Sequence, residues 1–290
     1  MLKNILVALT GFDSDTQALE AAFLIGSPFD AHIEALHIQP EPMEIITAAA
    51  VRQISSKMGN VELIHALQNE AANRAKQAKA NFDAFGKRDL SGHALGSAGG
   101  ITMSFRTVEG YPVRDTVSAA RVTDLVVLGR APHTGQFSMD AVANILVSCG
   151  RPVMLPPNSR LTRVGQTIAI AWKDKAESAR AVTAAMPLLT HAKKVVVLTV
   201  AEKHGDSAVS LKSAEHLAQQ LARHGIVTEA YGIPAAGQSV EERLIAKAKE
   251  LGVDLIVAGA YSHSRLKELV FGGFTRQVLT SCDLPVFLLH

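Results

Sequence analysis

Gly259, Ser262, Gly272, Gly273 and Thr275 fall within one short stretch near the end of a 290-residue chain, and their types suit the holding of an anion. Asp254 to Ala258 is an apolar run of the kind that forms a strand buried on both faces. Gly259 stops it, a polar loop runs from Ala260 to Arg265, and Gly272-Gly273-Phe274-Thr275 opens a helix through about Thr280. A strand that enters a glycine turn and then a helix start gathers free backbone N–H groups and the positive end of a helix dipole at one spot. Glycine lets a phosphate come close to the backbone, and the Ser262 and Thr275 hydroxyls add hydrogen bonds. His263 can reach phosphate or ribose, and Arg265, Lys267 and Arg276 can steer a phosphate. The same residues also read as tight turns and a polar helix face, because glycine spacing alone is a weak signal.

Other chemistries leave no such trace. There is no GxxxxGK[ST] loop and no nucleophile elbow with a Ser-His-Asp order. No His/Cys/carboxylate cluster has zinc spacing. Hence no catalytic or metal-ligating residue is assigned, and nothing here positions a base and a water. Cys149 and Cys282 each precede an apolar strand, where small buried residues are usual. His133 and His263 occupy equivalent loop positions.

The elements that must position the glycine loop follow from hydrophobic periodicity. Strands are expected at Ile5–Leu9, Ile33–Ile38, Thr102–Val108, Asp124–Leu128 and Pro152–Leu155. A helical stretch from Met43 to Phe85, broken at Gly59-Asn60, keeps Leu63, Leu67, Ala71, Ala75, Ala78 and Phe82 on one face. Gly86 to Gly100 is glycine-rich and reads as a loop. After a linker at Pro156–Ser159 the pattern restarts. Strands at Thr167–Ala171, Val195–Val200, Ile226–Tyr231, Asp254–Ala258 and Pro285–Leu289 alternate with helices at Ser178–Leu189, Ser207–Arg223 and Val240–Leu251.

Two rounds of β-α-β-α-β-α-β-α-β make two parallel sheets flanked by helices. Ile5–Ala8 aligns with Ile168–Ala171, a shift of 163, whereas Asp124–Val127 aligns with Asp254–Val257, a shift of 130. The first repeat therefore carries an insertion, placed at about 41–100. A repeat of this size is a duplicated domain rather than a solenoid.

A formal charge of +2 and 48% hydrophobic residues give no reason to expect nucleic acid or an anionic membrane as partner. No apolar run reaches the length of a membrane span. The start MLKNILVALTG reads as a first strand rather than a signal peptide. Two cysteines suit a reducing compartment, so the cytoplasm is expected.

Gly259, two residues, Ser262, nine residues, then Gly272-Gly273 with Thr275 resembles the nucleotide loop of the universal stress protein family, Gly-x2-Gly-x9-Gly-Ser/Thr. Ser262 stands in place of the second glycine, Gly273 in place of the first hydroxyl residue, and Thr275 brings a hydroxyl two residues late. With the repeat, nearly the whole chain resembles a tandem member of that family. The resemblance implies two doubly wound sheets of the adenine-nucleotide α-hydrolase-like kind, strand order 3-2-1-4-5, packed as a pseudo-dimer, with domains at 1–157 and 163–290. It puts a nucleotide at the carboxyl ends of strands 1 and 4. Ala171, Lys173, Val200, Gly259, Ser262, His263, Arg265, Gly272, Gly273, Phe274 and Thr275 would surround it. ATP or AMP is the implied ligand of the second half, with magnesium left undecided.

In the first half Gly129 is followed by Arg130-Ala131-Pro132, and Val142 and Ala143 match Gly272 and Gly273. No triphosphate is expected there, and the implied role of that half is intramolecular pairing with the second; a homodimer of the whole chain is a further expectation. Where nucleotide-binding relatives end strand 1 in an acidic residue, this chain has Thr10 and Lys173, with Asp13 and Asp174 displaced. Lysine cannot bind Mg²⁺ but serves as a point charge for phosphate. The resemblance implies a cytoplasmic stress-response protein acting as a nucleotide-dependent regulatory or protective module. The alternatives are a nucleotide-free, chaperone-like interaction scaffold and, more remotely, an enzyme of the wider fold group.

Overall fold

A computed structural model describes residues 1–53, 60–87, 100–130, 138–200, 207–234, 239–260 and 282–290. The chain divides into two compact units, Lys3–Cys149 and Gly150–His290 together with Met1–Leu2.

In the first unit the strands are β1 (Asn4–Leu9), β2 (His32–Pro40), β3 (Thr102–Gly110) and β4 (Leu125–Leu128). All pairs are parallel: β1 lies between β2 and β4, and β3 flanks β2, giving the order β3-β2-β1-β4. Central strands are apolar throughout, as a sheet covered on both faces requires. Every residue of β4 and all of β1 but Asn4 is buried, whereas the flanking β3 is mostly half-exposed. Helix α1 (Ser14–Gly26) follows β1, and α4 (Pro112–Ala120) and α5 (Met139–Ser148) flank β4. Proline opens α4 at a position whose N–H would lack an intrahelical partner, and the Asp115 carboxylate accepts from the Tyr111 N–H at 2.8 Å.

The insertion sits between β2 and β3 as α2 (Pro42–Gln53) and α3 (Asn60–Gly86). Of the expected apolar face of α3, Leu63, Ala71 and Ala78 are buried, and Phe85 packs edge-on against Phe23 of α1 at 6.0 Å between ring centroids. Most of the glycine-rich segment, 88–99, lies outside the described residues.

The second unit contains β5 (Val153–Leu155), β6 (Thr167–Ala171), β7 (Lys194–Val200), β8 (Thr228–Ile233), β9 (Leu255–Gly259) and β10 (Val286–Leu289). The parallel order is β8-β7-β6-β9-β10, which is 3-2-1-4-5 when counted within the repeat. Strand β5 pairs antiparallel with β10, Leu155 opposite Val286 and Val153 opposite Leu288. Helices α6 (Ala176–His191), α7 (Ser207–Ala222) and α8 (Val240–Glu250) connect the strands. Ser239 caps α8 with a reciprocal box: its hydroxyl accepts from the Glu242 N–H and the Glu242 carboxylate accepts from the Ser239 N–H, each at 3.2 Å.

Strand pairing confirms the repeat. Ile5 faces Leu125 in the first unit and Ile168 faces Leu255 in the second, which reproduces the shifts of 163 and 130 read from sequence. Strand β8 starts at Thr228, two residues later than its apolar pattern suggests. Gly225, with φ of 76°, ends α7: its N–H reaches the Ala222 carbonyl and the Ile226 N–H reaches the Leu221 carbonyl. That closing turn uses Ile226 as its hydrophobic contact and leaves Val227 exposed.

Candidate functional site

In the second unit the strand order reverses at β6, which pairs with β7 on one side and β9 on the other. Parallel strands moving apart at such a point leave a crevice beyond their carboxyl ends. Ala171 faces Ala258 there, and half-buried Lys173 and the end residue of β9, Gly259, follow. Val200 ends β7 half-buried at the same edge. Trp172 lies between them: its backbone N–H donates to the Leu198 carbonyl at 2.8 Å and its indole N–H to Ser213 Oγ on α7 at 3.0 Å. Thus Ala171, Lys173, Val200 and Gly259 share one edge. Ser262, His263, Arg265, Gly272, Gly273, Phe274 and Thr275 lie outside the described residues, as do His133, Lys267 and Arg276.

Gly259 has a packing reason of its own. A Cβ built on it would lie 2.5 Å from Ser178 N and 2.6 Å from Glu177 C, in the first turn of α6. Its counterpart Gly129 is just as close to the first turn of α1, 2.8 Å from Ser14 O. The two helix starts therefore approach the ends of β4 and β9 more tightly than any side chain permits.

The same edge of the first unit is built differently. Asp15, in the first turn of α1, is 1% exposed. One carboxylate oxygen accepts from the Thr10 N–H at 2.8 Å and the Thr10 hydroxyl at 3.0 Å; the other accepts from the Gly11 N–H at 2.8 Å and Asn81 Nδ2 at 3.2 Å. Burial pushes the carboxyl above its usual 3.8, and the four donors pull it partly back. Asn81 also donates to the Phe12 carbonyl at 3.0 Å, and Arg74 donates to the Gly11 carbonyl at 3.3 Å while stacking 3.4 Å above the Phe12 ring. Both come from inserted helix α3. The sequence reading weighed Asp13 and missed Asp15, Asn81 and Arg74. The available signal was the seven-residue spacing of Arg74 and Asn81, which puts them on one helix face.

His37 of β2 is fully buried beside this cluster. Its Nδ1 lies 2.9 Å from the Leu9 carbonyl, and a carbonyl only accepts, so Nδ1 carries the proton. Burial holds its pKa below 6.5, opposed more weakly by the Leu9 hydrogen bond and the Asp15 charge. Val142 and Ala143 are both buried within α5, behind the Ser138 hydroxyl that accepts from the Ala141 N–H at 3.3 Å.

At the amino ends of the strands, each unit repeats a clamp. Asp124 accepts from the N–H groups of Lys3 and Asn4 at 2.8 and 2.9 Å. Asp254 accepts from those of Gln166 and Thr167 at 3.0 and 3.2 Å. These aspartates register the strands and stand at the far end from the crevices. Among the described residues, no group of three or more His, Cys, Asp or Glu is placed to hold a metal ion, and no helix is long and apolar enough to cross a membrane.

Residues 166–290 match the family model described as Usp, the universal stress protein family. A curated relative, universal stress protein Slr1230 of Synechocystis sp., is 23% identical over 298 residues, covering 98% of this chain and 99% of its own length. The crystal structure of a universal stress protein from Archaeoglobus fulgidus DSM 4304 is similar with a TM-score of 0.66 at 14% identity, over 99% of this chain and 97% of that one. A functionally unknown protein from Pseudomonas aeruginosa PAO1 is similar with a TM-score of 0.58 at 14% identity, over 99% and 92%. At such identities the solved structures speak for the fold.

Proposed function

From a chain whose residues 166–290 belong to the universal stress protein family, we propose a stress-response protein that binds an adenine nucleotide, ATP or AMP, in its second repeat. The observation that carries this reading is the switch point at β6, where Ala171, Lys173 and Gly259 come together at one sheet edge. Ligands collect at such points in open parallel sheets. Lys173 supplies a point charge for phosphate, and the loop from Ser262 to Thr275 supplies backbone N–H groups and hydroxyls. Ser178 favours the same repeat: it stands where the first has Asp15, so no carboxylate occupies that position. Binding would change a surface read by a partner protein in the cytoplasm. The repeats are proposed to run 1–157 and 163–290, pairing within the chain, with a homodimer as the next level.

One observation favours a nucleotide-free interaction scaffold instead. Gly129 and Gly259 are both required by helix packing, so the presence of Gly259 is not by itself a mark of phosphate binding. Mass spectrometry of the protein denatured directly after purification from its host separates the two. Near-stoichiometric ATP or AMP supports the nucleotide reading; protein free of nucleotide supports the scaffold.

A further inference from the structure

We propose that the first unit carries its own plug: the Asp15 carboxylate takes the place of a ligand anion on the Thr10–Gly11 backbone, and inserted helix α3 closes over it. Two successive N–H groups at the end of a first strand, joined by a hydroxyl, make a concave donor set suited to an anion. Here Asp15 fills that set from within the chain, at 2.8 Å from both N–H groups. Asn81 donates to the same carboxylate, and Arg74 covers Phe12. A Cβ built on Gly11 would lie 2.4 Å from the Arg74 carbonyl oxygen. The strand end and α3 are therefore in close backbone contact at Gly11. An arriving anion would also meet the buried negative charge of Asp15.

The second repeat supplies the internal comparison. By the register of β1 and β6, Ser178 stands at the position of Asp15 and is also buried, at 6% exposed. Serine offers no net charge, and among the described residues the crossover after β7 carries the single helix α7 where that after β2 carries α2 and the longer α3. The longer crossover, through Arg74 and Asn81 of α3, and the aspartate therefore form one device that closes the first repeat. This extends beyond the nucleotide reading and holds whether or not the second repeat binds nucleotide.

The test is chemical rescue in the full-length chain. Asp15→Ser copies the second repeat and leaves the donors of Thr10, Gly11 and Asn81 buried without their acceptor. Its melting temperature should fall by a few degrees in sodium chloride, roughly the shift of losing a satisfied buried network in a chain of this size. Sodium formate at the same ionic strength should restore half or more of that loss, because a small carboxylate enters the vacated site; the parent should respond alike to both salts. If Asp15→Ser does not fold at room temperature, Asn81→Ala decides through hydrogen exchange. Removing one donor of the cover should speed exchange of the Thr10–Phe12 amides about tenfold or more. An Asp15→Ser variant that melts with the parent, or that gains no more from formate than from chloride, overturns the proposal. So does unchanged amide exchange in Asn81→Ala.

Discussion

At the scale of residues, the glycine ends of β4 and β9 are governed by packing first. A Cβ on Gly259 would sit 2.5 Å from Ser178 N, against backbone that has no easy way to give. Gly259→Ala should therefore cost about 1–3 kcal/mol, seen as a lower denaturation midpoint in the absence of ligand. A Gly259→Ala midpoint equal to the parent's would contradict the close approach. His37 has a second consequence. Its pKa is lowered below 6.5, chiefly by burial, so the folded chain resists a proton that the unfolded chain accepts. Its stabilising share is complete above 6.5 and is lost as pH falls through the lowered value. Melting temperature should drop between pH 7 and pH 5, and His37→Thr, copying the buried Thr199 of the second repeat, should flatten that drop. An equal slope in parent and variant would show that His37 takes its proton freely in the folded state. Neither role was legible beforehand: Gly259 read as a phosphate residue because spacing cannot reveal which helix start lies beside it. His37 read as one member of an apolar strand, since nothing local marks a buried imidazole bonded to a neighbouring strand.

At the scale of elements, periodicity served well where one face is buried and failed where a turn intervenes. The helical insertion contains α2 (Pro42–Gln53) and α3 (Asn60–Gly86), and the expected break at Gly59-Asn60 adjoins residues 54–59, which lie outside the described residues. Strand β8 was misplaced by two residues because Ile226 looks like strand but closes the end of α7. Asp124 and Asp254 were visible as a repeated residue, yet their work was not, because a clamp depends on which N–H groups lie across the sheet. Replacing Asp254 by alanine leaves the Gln166 and Thr167 N–H groups without their carboxylate. It should destabilise the chain by about 1–3 kcal/mol, and an unchanged urea midpoint would contradict the clamp. The glycine loop is tested separately. Gly272→Val copies Val142 of the first repeat, and losing two or three charge-assisted hydrogen bonds at about 1.5–3 kcal/mol each would weaken nucleotide binding well over tenfold. A variant that keeps its melting temperature and still binds ATP as the parent does would reduce the loop to a structural turn.

At the scale of the whole molecule, the two copies of a duplicated fold differ at one edge. Each repeat keeps the parallel core order and the aspartate clamp, which belong to folding. They diverge at the carboxyl edge, where the first repeat has Asp15, Asn81, Arg74 and an inserted helix, and the second has Ser178, Trp172 and Lys173. The duplication was plain in sequence because apolar strands repeat in register; the divergence was not, because the residues that close one edge lie more than sixty positions apart. The decisive quantity is the number of nucleotides that one chain takes up. Calorimetric titration of the full-length protein with ATP, and with AMP in parallel, should give a stoichiometry near one per chain, unchanged in Asn81→Ala. Two equivalent sites per chain would contradict the closure of the first repeat, and no binding of either nucleotide would contradict the assignment of the second.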